Sequence, residues 1–186
     1  MSGANALNRA PSLVWIMKHD VSSSAISAAS SKQGQSLHII FATTSGHTEF
    51  VVDTLTRSVE LSDWEIEKTL AEKASPQDML RGAVLLLASS TWNTGGVEGQ
   101  LNPHMSVLLQ SKAKDLDLAS KPSACIGLGD HRYYYTARAA DLLHDYIESH
   151  HGRLLLPALK IVDEPYGQEE VILGWGKQLA DVLKRV

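Results

Sequence analysis

Leu37-His38-Ile39-Ile40-Phe41-Ala42-Thr43-Thr44-Ser45-Gly46-His47-Thr48-Glu49 is the stretch on which the fold turns. Leu37–Phe41 is a short apolar run, the mark of a strand buried on both faces. Hydroxyls and a glycine then break the run, and Phe50, Val51 and Leu55 recur at helical spacing, which predicts a helix over His47–Ser58. A buried strand that feeds a helix through a short loop is the opening half of a βαβ unit.

The same alternation continues outward from that stretch. Trp64–Glu67 alternates apolar and polar residues, so a strand with one wet face is expected. Ser75 and Pro76 form an N-cap and first-turn pair that starts a brief helix. Ala83–Ala88 and Ala124–Leu128 read as two more buried strands. Between them, after a Gly-rich loop, Glu98–Leu109 reads as a helix with Pro103 near its start. Thr136–His150 carries Ala139, Leu142, Leu143 and Tyr146 on one helical face, Leu154–Val162 is the last strand, and Gln168–Leu183 the closing helix. Five strands alternating with helices predict one α/β domain over residues 37–186, a three-layer fold around a five-stranded parallel sheet.

Residues 1–36 have another character. Ser22-Ser23-Ser24 and Ala28-Ala29-Ser30-Ser31 surround a single apolar patch, Leu13–Met17, and the segment reads as a loosely ordered tail. The whole chain of 186 residues is 44% hydrophobic with a formal charge of −4, enough apolar side chain for a core and no basic footprint for nucleic acid. No apolar run approaches the ~18 residues of a membrane span. Cys125 alone excludes a disulfide framework and fits a reducing compartment, so a cytoplasmic location is expected.

In an open parallel sheet, ligands bind beyond the carboxyl ends of the strands, where the strand order reverses. Three loops leave such ends. Thr43-Thr44-Ser45-Gly46-His47-Thr48 sets hydroxyls and a glycine at a helix N-terminus, where unpaired N–H groups suit a phosphate. It contains no Gly-Lys-Ser/Thr and no Gly-x-Gly-x-x-Gly, so neither a triphosphate loop nor a dinucleotide turn is present. Ser89-Ser90-Thr91-Trp92-Asn93-Thr94-Gly95-Gly96 exposes a tryptophan just past a buried strand. Gly127-Leu128-Gly129-Asp130-His131-Arg132-Tyr133-Tyr134-Tyr135 adds three tyrosines. In either loop alone, the rings pack against protein as readily as they stack on a ligand. Together the three specify a planar ring with a phosphorylated tail, and flavin mononucleotide (FMN) is the candidate.

At these motifs the chain resembles the flavodoxin family, over Leu37–Val186. Thr-Thr-Ser-Gly-His-Thr-Glu, Ser-Thr-Trp-Asn-Thr and Gly-Leu-Gly-Asp-His-Arg-Tyr-Tyr-Tyr stand in the family's order, and Gly174-Trp175-Gly176 is also similar. The resemblance implies a flavodoxin-like fold with strand order 2-1-3-4-5, the arrangement for which flavodoxin is a standard example. It implies a low-potential electron carrier on non-covalent FMN, with no catalytic residue and no metal. Thr43, Thr44, Ser45, Gly46, His47 and Thr48 would hold the phosphate. Ser90, Thr91, Trp92 and Asn93 would form the loop covering one flavin face. Leu128, Gly129, Asp130, Tyr133 and Tyr135 would supply the second face and the pyrimidine edge. With no insertion in the last strand, the chain looks like the short-chain class, a monomer working with redox partner proteins: a reductase-type donor and an unnamed acceptor.

Two departures bear on tuning. Asn93 stands where the family often has a glycine whose peptide flips toward the flavin's N5–H, and Asn tolerates positive φ at some cost. The three loops bring Glu49, Glu98 and Asp130 against Arg132, with His47 and His131 able to add charge, a less acidic rim than the family implies. A less negative potential is therefore expected, and one that either histidine makes pH-dependent. The competing functions are an FMN-dependent reductase of quinones or another small acceptor, and a flavin-free interaction module of the same fold. A receiver domain is disfavoured, because Ala42-Thr43-Thr44 occupies the place of its acidic cluster. His144, His150 and His151 read as cations at a helix C-terminus, and Cys125 as a core residue.

Overall fold

The computed structural model describes residues 35–58 and 61–185. The tail expected over residues 1–36 therefore lies outside the described residues, except for Gln35 and Ser36. The chain runs β1 (Ser36–Phe41), α1 (His47–Thr56), β2 (Glu65–Leu70), β3 (Val84–Thr94), β4 (Val97–Leu101), α2 (Pro103–Val107), β5 (Pro122–Gly129), α3 (Arg138–Ser149), β6 (Arg153–Leu154), β7 (Leu159–Val162) and α4 (Glu169–Leu183). The parallel strands lie in the order β2-β1-β3-β5, with β6 and β7 both paired to β5. With β6 and β7 taken as one interrupted strand, the parallel order is the expected 2-1-3-4-5.

Burial on both faces explains the continuous apolar runs. Leu37, Ile39 and Phe41 of β1, with Val84 and Leu86 of β3, pack beneath α1 and α4 through Val51, Leu55, Trp175 and Leu179. Ile40, Leu85 and Leu87 point the other way, into a second core with Met79, Met105, Leu143 and Ile147. Neighbouring residues of one strand thus serve opposite layers, as the two-residue strand period requires. Ser75 caps a short 3₁₀ turn over Pro76–Leu80, where the Asp78 carboxylate accepts from the Ser75 amide and hydroxyl, both at 2.7 Å.

Two sequence expectations are overturned. The helix expected over Glu98–Leu109 is instead a hairpin strand followed by a short helix. β3 continues through the expected loop to Thr94, and β4 returns antiparallel to it, with Thr91 opposite Leu101 and Thr94 opposite Val97. Gly95 and Gly96 close the hairpin at φ 62° and 80°, the two-residue turn whose twist suits a right-handed ribbon. Only Pro103–Val107 is α-helical, and it widens at Leu108–Lys112 into a π-turn where the Ala113 amide reaches the Leu108 carbonyl at 2.8 Å.

The last strand is not continuous either: Leu155–Ala158 separates β6 from β7. Pro157 cannot donate to the sheet, and its carbonyl accepts from the Trp175 indole at 2.9 Å. This is a local break, not an inserted subdomain. The remaining limits differ by a few residues, with β2 shifted to Glu65–Leu70 and α3 beginning at Arg138. None of the described helices is long and apolar enough to cross a membrane.

Candidate functional site

The carboxyl ends of β1, β3, β5 and β7 open into a groove of about 630 Å³, within the range of small-molecule sites. At one end stands the β1–α1 loop. Gly46 caps α1 at φ 86°, and its carbonyl accepts the first intrahelical bond, from Phe50, at 2.8 Å. The amides of His47, Thr48 and Glu49 consequently have no acceptor within the helix. The Gly46 amide donates to the Thr43 hydroxyl at 3.0 Å, which fixes the loop and leaves the Thr43 O–H as a donor. Thr43, Thr44, Ser45, His47 and Thr48 all line the groove, whereas Gly46 does not.

The β3 end supplies Ser90, Thr91 and Trp92. The indole N–H of Trp92 donates to the Ser90 hydroxyl at 2.8 Å, which fixes the orientation of a half-buried ring. The Thr91 hydroxyl accepts from the Ala139 amide at 2.9 Å and so ties β3 to the start of α3. A narrower compartment of about 260 Å³ shares Thr91, Trp92, Asp130 and Tyr133 with the groove and adds Asn93 and Tyr135. Asn93 lies at the register shift of the β3–β4 ribbon, where its side chain accepts from the Gly99 amide at 3.1 Å. Its backbone is not among the positive-φ residues. Tyr135 packs on Gly99 and beneath the Arg138 guanidinium, 4.4 Å from the ring centre, while Tyr133 stays half exposed.

Leu128 and Gly129 end β5 at the groove floor. A Cβ on Gly129 would lie 2.1 Å from the Ala137 amide nitrogen, and one on Gly127 would lie 2.1 Å from that of Ala140. These glycines therefore serve the close approach of α3 to β5. Asp130 folds back to accept from the Arg132 amide and from its guanidinium Nε, each at 2.9 Å, and these hydrogen bonds push its carboxyl down to about 2.

Sequence reasoning missed the β7–α4 loop altogether. Asp163 and Glu164 line the groove too, delivered there by sheet order and by no local motif. Asp163 sits at φ 69°, donates its amide to the Gly129 carbonyl at 2.7 Å, and accepts from the His131 amide at 3.0 Å. Its carboxylate also lies 2.7 Å from His131 Nδ1, and these contacts hold it below the usual carboxylate range. Glu164 reaches His47 Nε2 at 3.2 Å. The rim is thus three acid–base pairs: Asp130–Arg132, Asp163–His131 and Glu164–His47. Asn102 was also missed. Fully buried, it donates to the Thr44 hydroxyl at 3.0 Å, accepts from the His104 amide at 3.0 Å, and receives support from Ser89 and Ser90. Its sequence signal was Asn before Pro at a helix start.

Asp130, His131 and Asp163 bring possible ligand atoms within 4.8 Å of one another, but both carboxylates are already engaged by Arg132 and His131. Elsewhere His150 stacks on Tyr146 and reaches the Tyr146 and Lys114 carbonyls, a helix-end role. Burial pushes the Cys125 thiol up to about 12, consistent with an inert core residue.

The donor set fits a phosphorylated planar cofactor: neutral hydroxyls and free amides at one end, oriented aromatic rings at the other. Fold and groove together define a doubly wound α/β protein with a ligand site at its switch point. The flavodoxin family model matches residues 39–175, and the chain belongs to the flavodoxin family. It is 26% identical over 144 residues to the probable flavodoxin 2 of Bacillus subtilis, covering 76% of this chain and 92% of that protein. It is 23% identical over 146 residues to the flavodoxin of Nitratidesulfovibrio vulgaris, covering 78% and 97%. The crystal structure of oxidised flavodoxin 1 from Bacillus cereus superposes with a TM-score of 0.70 at 23% identity, over 79% of this chain and 98% of that one, a likeness of fold. The chain is an electron-transfer flavoprotein of a family that works with redox partner proteins.

Proposed function

We propose that the flavin is FMN and that the chain is a monomeric cytoplasmic carrier, not a reductase. The observation that carries this reading is the chemistry of the groove's two ends. At the phosphate end, Thr43, Thr44, Ser45 and Thr48 offer hydroxyls beside the free amides of the first turn of α1, with no lysine or arginine in that loop. Such a cradle suits one terminal phosphate monoester and lacks the cation that a triphosphate or dinucleotide site uses. At the other end Trp92 and Tyr133 supply apolar walls, and the backbone around Gly129 and Asp130 offers hydrogen-bonding groups.

When bound, the flavin supplies reversible one-electron chemistry. The chain's own work is to fix it. Ser90 holds the Trp92 ring in place, Asn102 holds the Thr44 hydroxyl, and the aromatic walls exclude water. No side chain is required as acid, base or nucleophile, so the roles are binding roles: Thr43, Thr44, Ser45, Gly46, His47 and Thr48 for the phosphate, Ser90, Thr91, Trp92 and Asn93 for one face, Leu128, Gly129, Asp130, Tyr133 and Tyr135 for the other. Trp92 and Tyr133 beside one compartment leave little open ring for a small acceptor, which supports a carrier over a quinone reductase.

The test is the absorption spectrum of the purified protein titrated with FMN and with riboflavin, followed by stepwise reduction. A flavin band near 450 nm and tighter binding of FMN than of riboflavin are expected. Equal affinity for the two would overturn the phosphate assignment. Sustained NADPH oxidation with a quinone would favour the reductase.

A further inference from the structure

His47 is the only residue from Thr43 to Glu49 able to carry a positive charge, and it occupies the first position of α1. It lines the groove, and so does its partner Glu164, 3.2 Å away. Both are wet: the imidazole is one-third exposed and the carboxylate two-thirds exposed. The loop that carries Glu164 is braced, because Gln168 Nε2 donates to the carbonyls of Val162 at 2.8 Å and Glu164 at 2.7 Å. The imidazole is braced too, edge-on to Tyr166, whose ring also packs on Phe50. The pair therefore holds an imidazole and a carboxylate side by side at the mouth of a phosphate cradle that has no lysine or arginine.

We propose that His47 is an exchangeable cation of that cradle: its imidazolium pairs with Glu164 in the flavin-free chain and turns to the phosphate when FMN enters. This rests on the FMN reading above and deepens it, since it makes one imidazole the group that discriminates phosphorylated from unphosphorylated flavin. The imidazole faces Glu164 and Tyr166 from the β7–α4 loop, and on its own helix the charged residue of the first turn is Glu49. Asp130, His131, Arg132 and Asp163 stand elsewhere along the groove and are tied to one another. Imidazole titrates near pH 6.5 and a phosphate monoester takes its second proton near pH 6. A phosphate dianion beside the imidazole favours its protonated form, so binding FMN draws a proton onto the site near neutrality. Riboflavin has no phosphate and draws none.

Calorimetric titration of the full chain with FMN and with riboflavin, between pH 5.5 and 8.5 and in buffers of different ionisation enthalpy, reads both affinity and protons taken up. The His47→Asn variant keeps a polar first-turn residue and leaves the phosphate's own titration in place as the baseline. It should weaken FMN binding about three- to tenfold at pH 6, the size of one charge pair near the surface, and less than twofold at pH 8. Its riboflavin affinity should not change. Glu164→Gln removes the competing carboxylate, so FMN should bind more tightly and take up more protons than in the wild type. An FMN loss in His47→Asn that is equal at both pH values, or shared by riboflavin, would overturn the proposal and leave the pair as a loop brace. So would weaker FMN binding in Glu164→Gln. A wild-type chain that binds neither flavin overturns the proposed function instead, and the two failures are told apart by that first titration.

Discussion

Gly129 and Ala137 meet where β5 hands the chain to α3, and each is the residue its place demands or nearly so. Ala137 stands at φ 50° as the residue preceding the helix, a left-handed conformation that costs a residue with a Cβ about 1 kcal/mol. Ala137→Gly removes that strain while loosening the unfolded chain, so the gain should be below about 1 kcal/mol, a rise in Tm of about 1–3 °C. Gly129→Ala drives a Cβ into the Ala137 backbone, which cannot give way as a flexible side chain would. It should lower Tm by more than about 5 °C and cost flavin affinity, because the groove floor moves with α3. Thermal melts of both variants, with and without FMN, check this. His38 is the other residue with a cost built in. Buried in β1, it bonds Thr69 through Nε2 at 2.9 Å, its Nδ1 has no partner, and burial pulls it below the ordinary imidazole value of 6.5. A base depressed in the folded state is more protonated when unfolded, so its penalty is absent well above pH 6.5 and grows as pH falls toward the folded value. Urea midpoints of the wild type should fall between pH 7 and 5, and His38→Gln should flatten that fall. Identical slopes would assign the acid sensitivity elsewhere.

Among the elements, α2 is the smallest and the one most dependent on a single cap. Asn102 accepts from the His104 amide and donates to the Thr44 hydroxyl, so one buried amide fixes both a helix start and the phosphate loop. Asn102→Ala should cost about 2 kcal/mol, since it removes a cap and strands buried partners, and should weaken FMN more than riboflavin. A loss of stability with no preference between the flavins would separate the two roles. The same region shows where sequence reading runs out. β1, β3 and β5 were legible because strands buried on both faces leave continuous apolar runs such as Leu85-Leu86-Leu87. β4 was not, because Gly95-Gly96 reads equally as a ligand loop or as a hairpin turn, and Val97, Glu98 and Gln100 alternate too briefly to arbitrate. The hydroxyl loop and Trp92 could be read locally. Asp163 and Glu164 could not, since a parallel sheet brings the end of its last strand to the first loop through strand order alone.

At the scale of the molecule, charge is distributed so that the groove is matched and the remainder is not. Residues 1–36 hold three basic and one acidic side chains, leaving 14 basic against 20 acidic and a net of −6 on residues 37–186. Glu49 and Glu98, expected at the rim, do not line the groove; its carboxylates are Asp130 from the three loops and Asp163 and Glu164 from the β7–α4 loop. Yet each carboxylate of the rim has a base against it, and two of those bases are histidines. With both imidazoles protonated the three pairs cancel, and with both neutral two carboxylates stand unmatched. The fully reduced flavin is the more anionic form, so unmatched carboxylates make it harder to reach and protonated histidines make it easier. The potential of the second electron should therefore lie above that of acid-rimmed flavodoxins and should climb as pH falls from 8 to 6. The flavin's own protonation also raises it over this range, so the informative quantity is the difference between the wild type and His131→Asn, which keeps that effect and removes the share of His131. Spectroelectrochemical titration should give the wild type the steeper pH slope, with the two proteins converging toward pH 8.5. Parallel slopes across the whole range would mean that Asp163 holds His131 only to shape the loop.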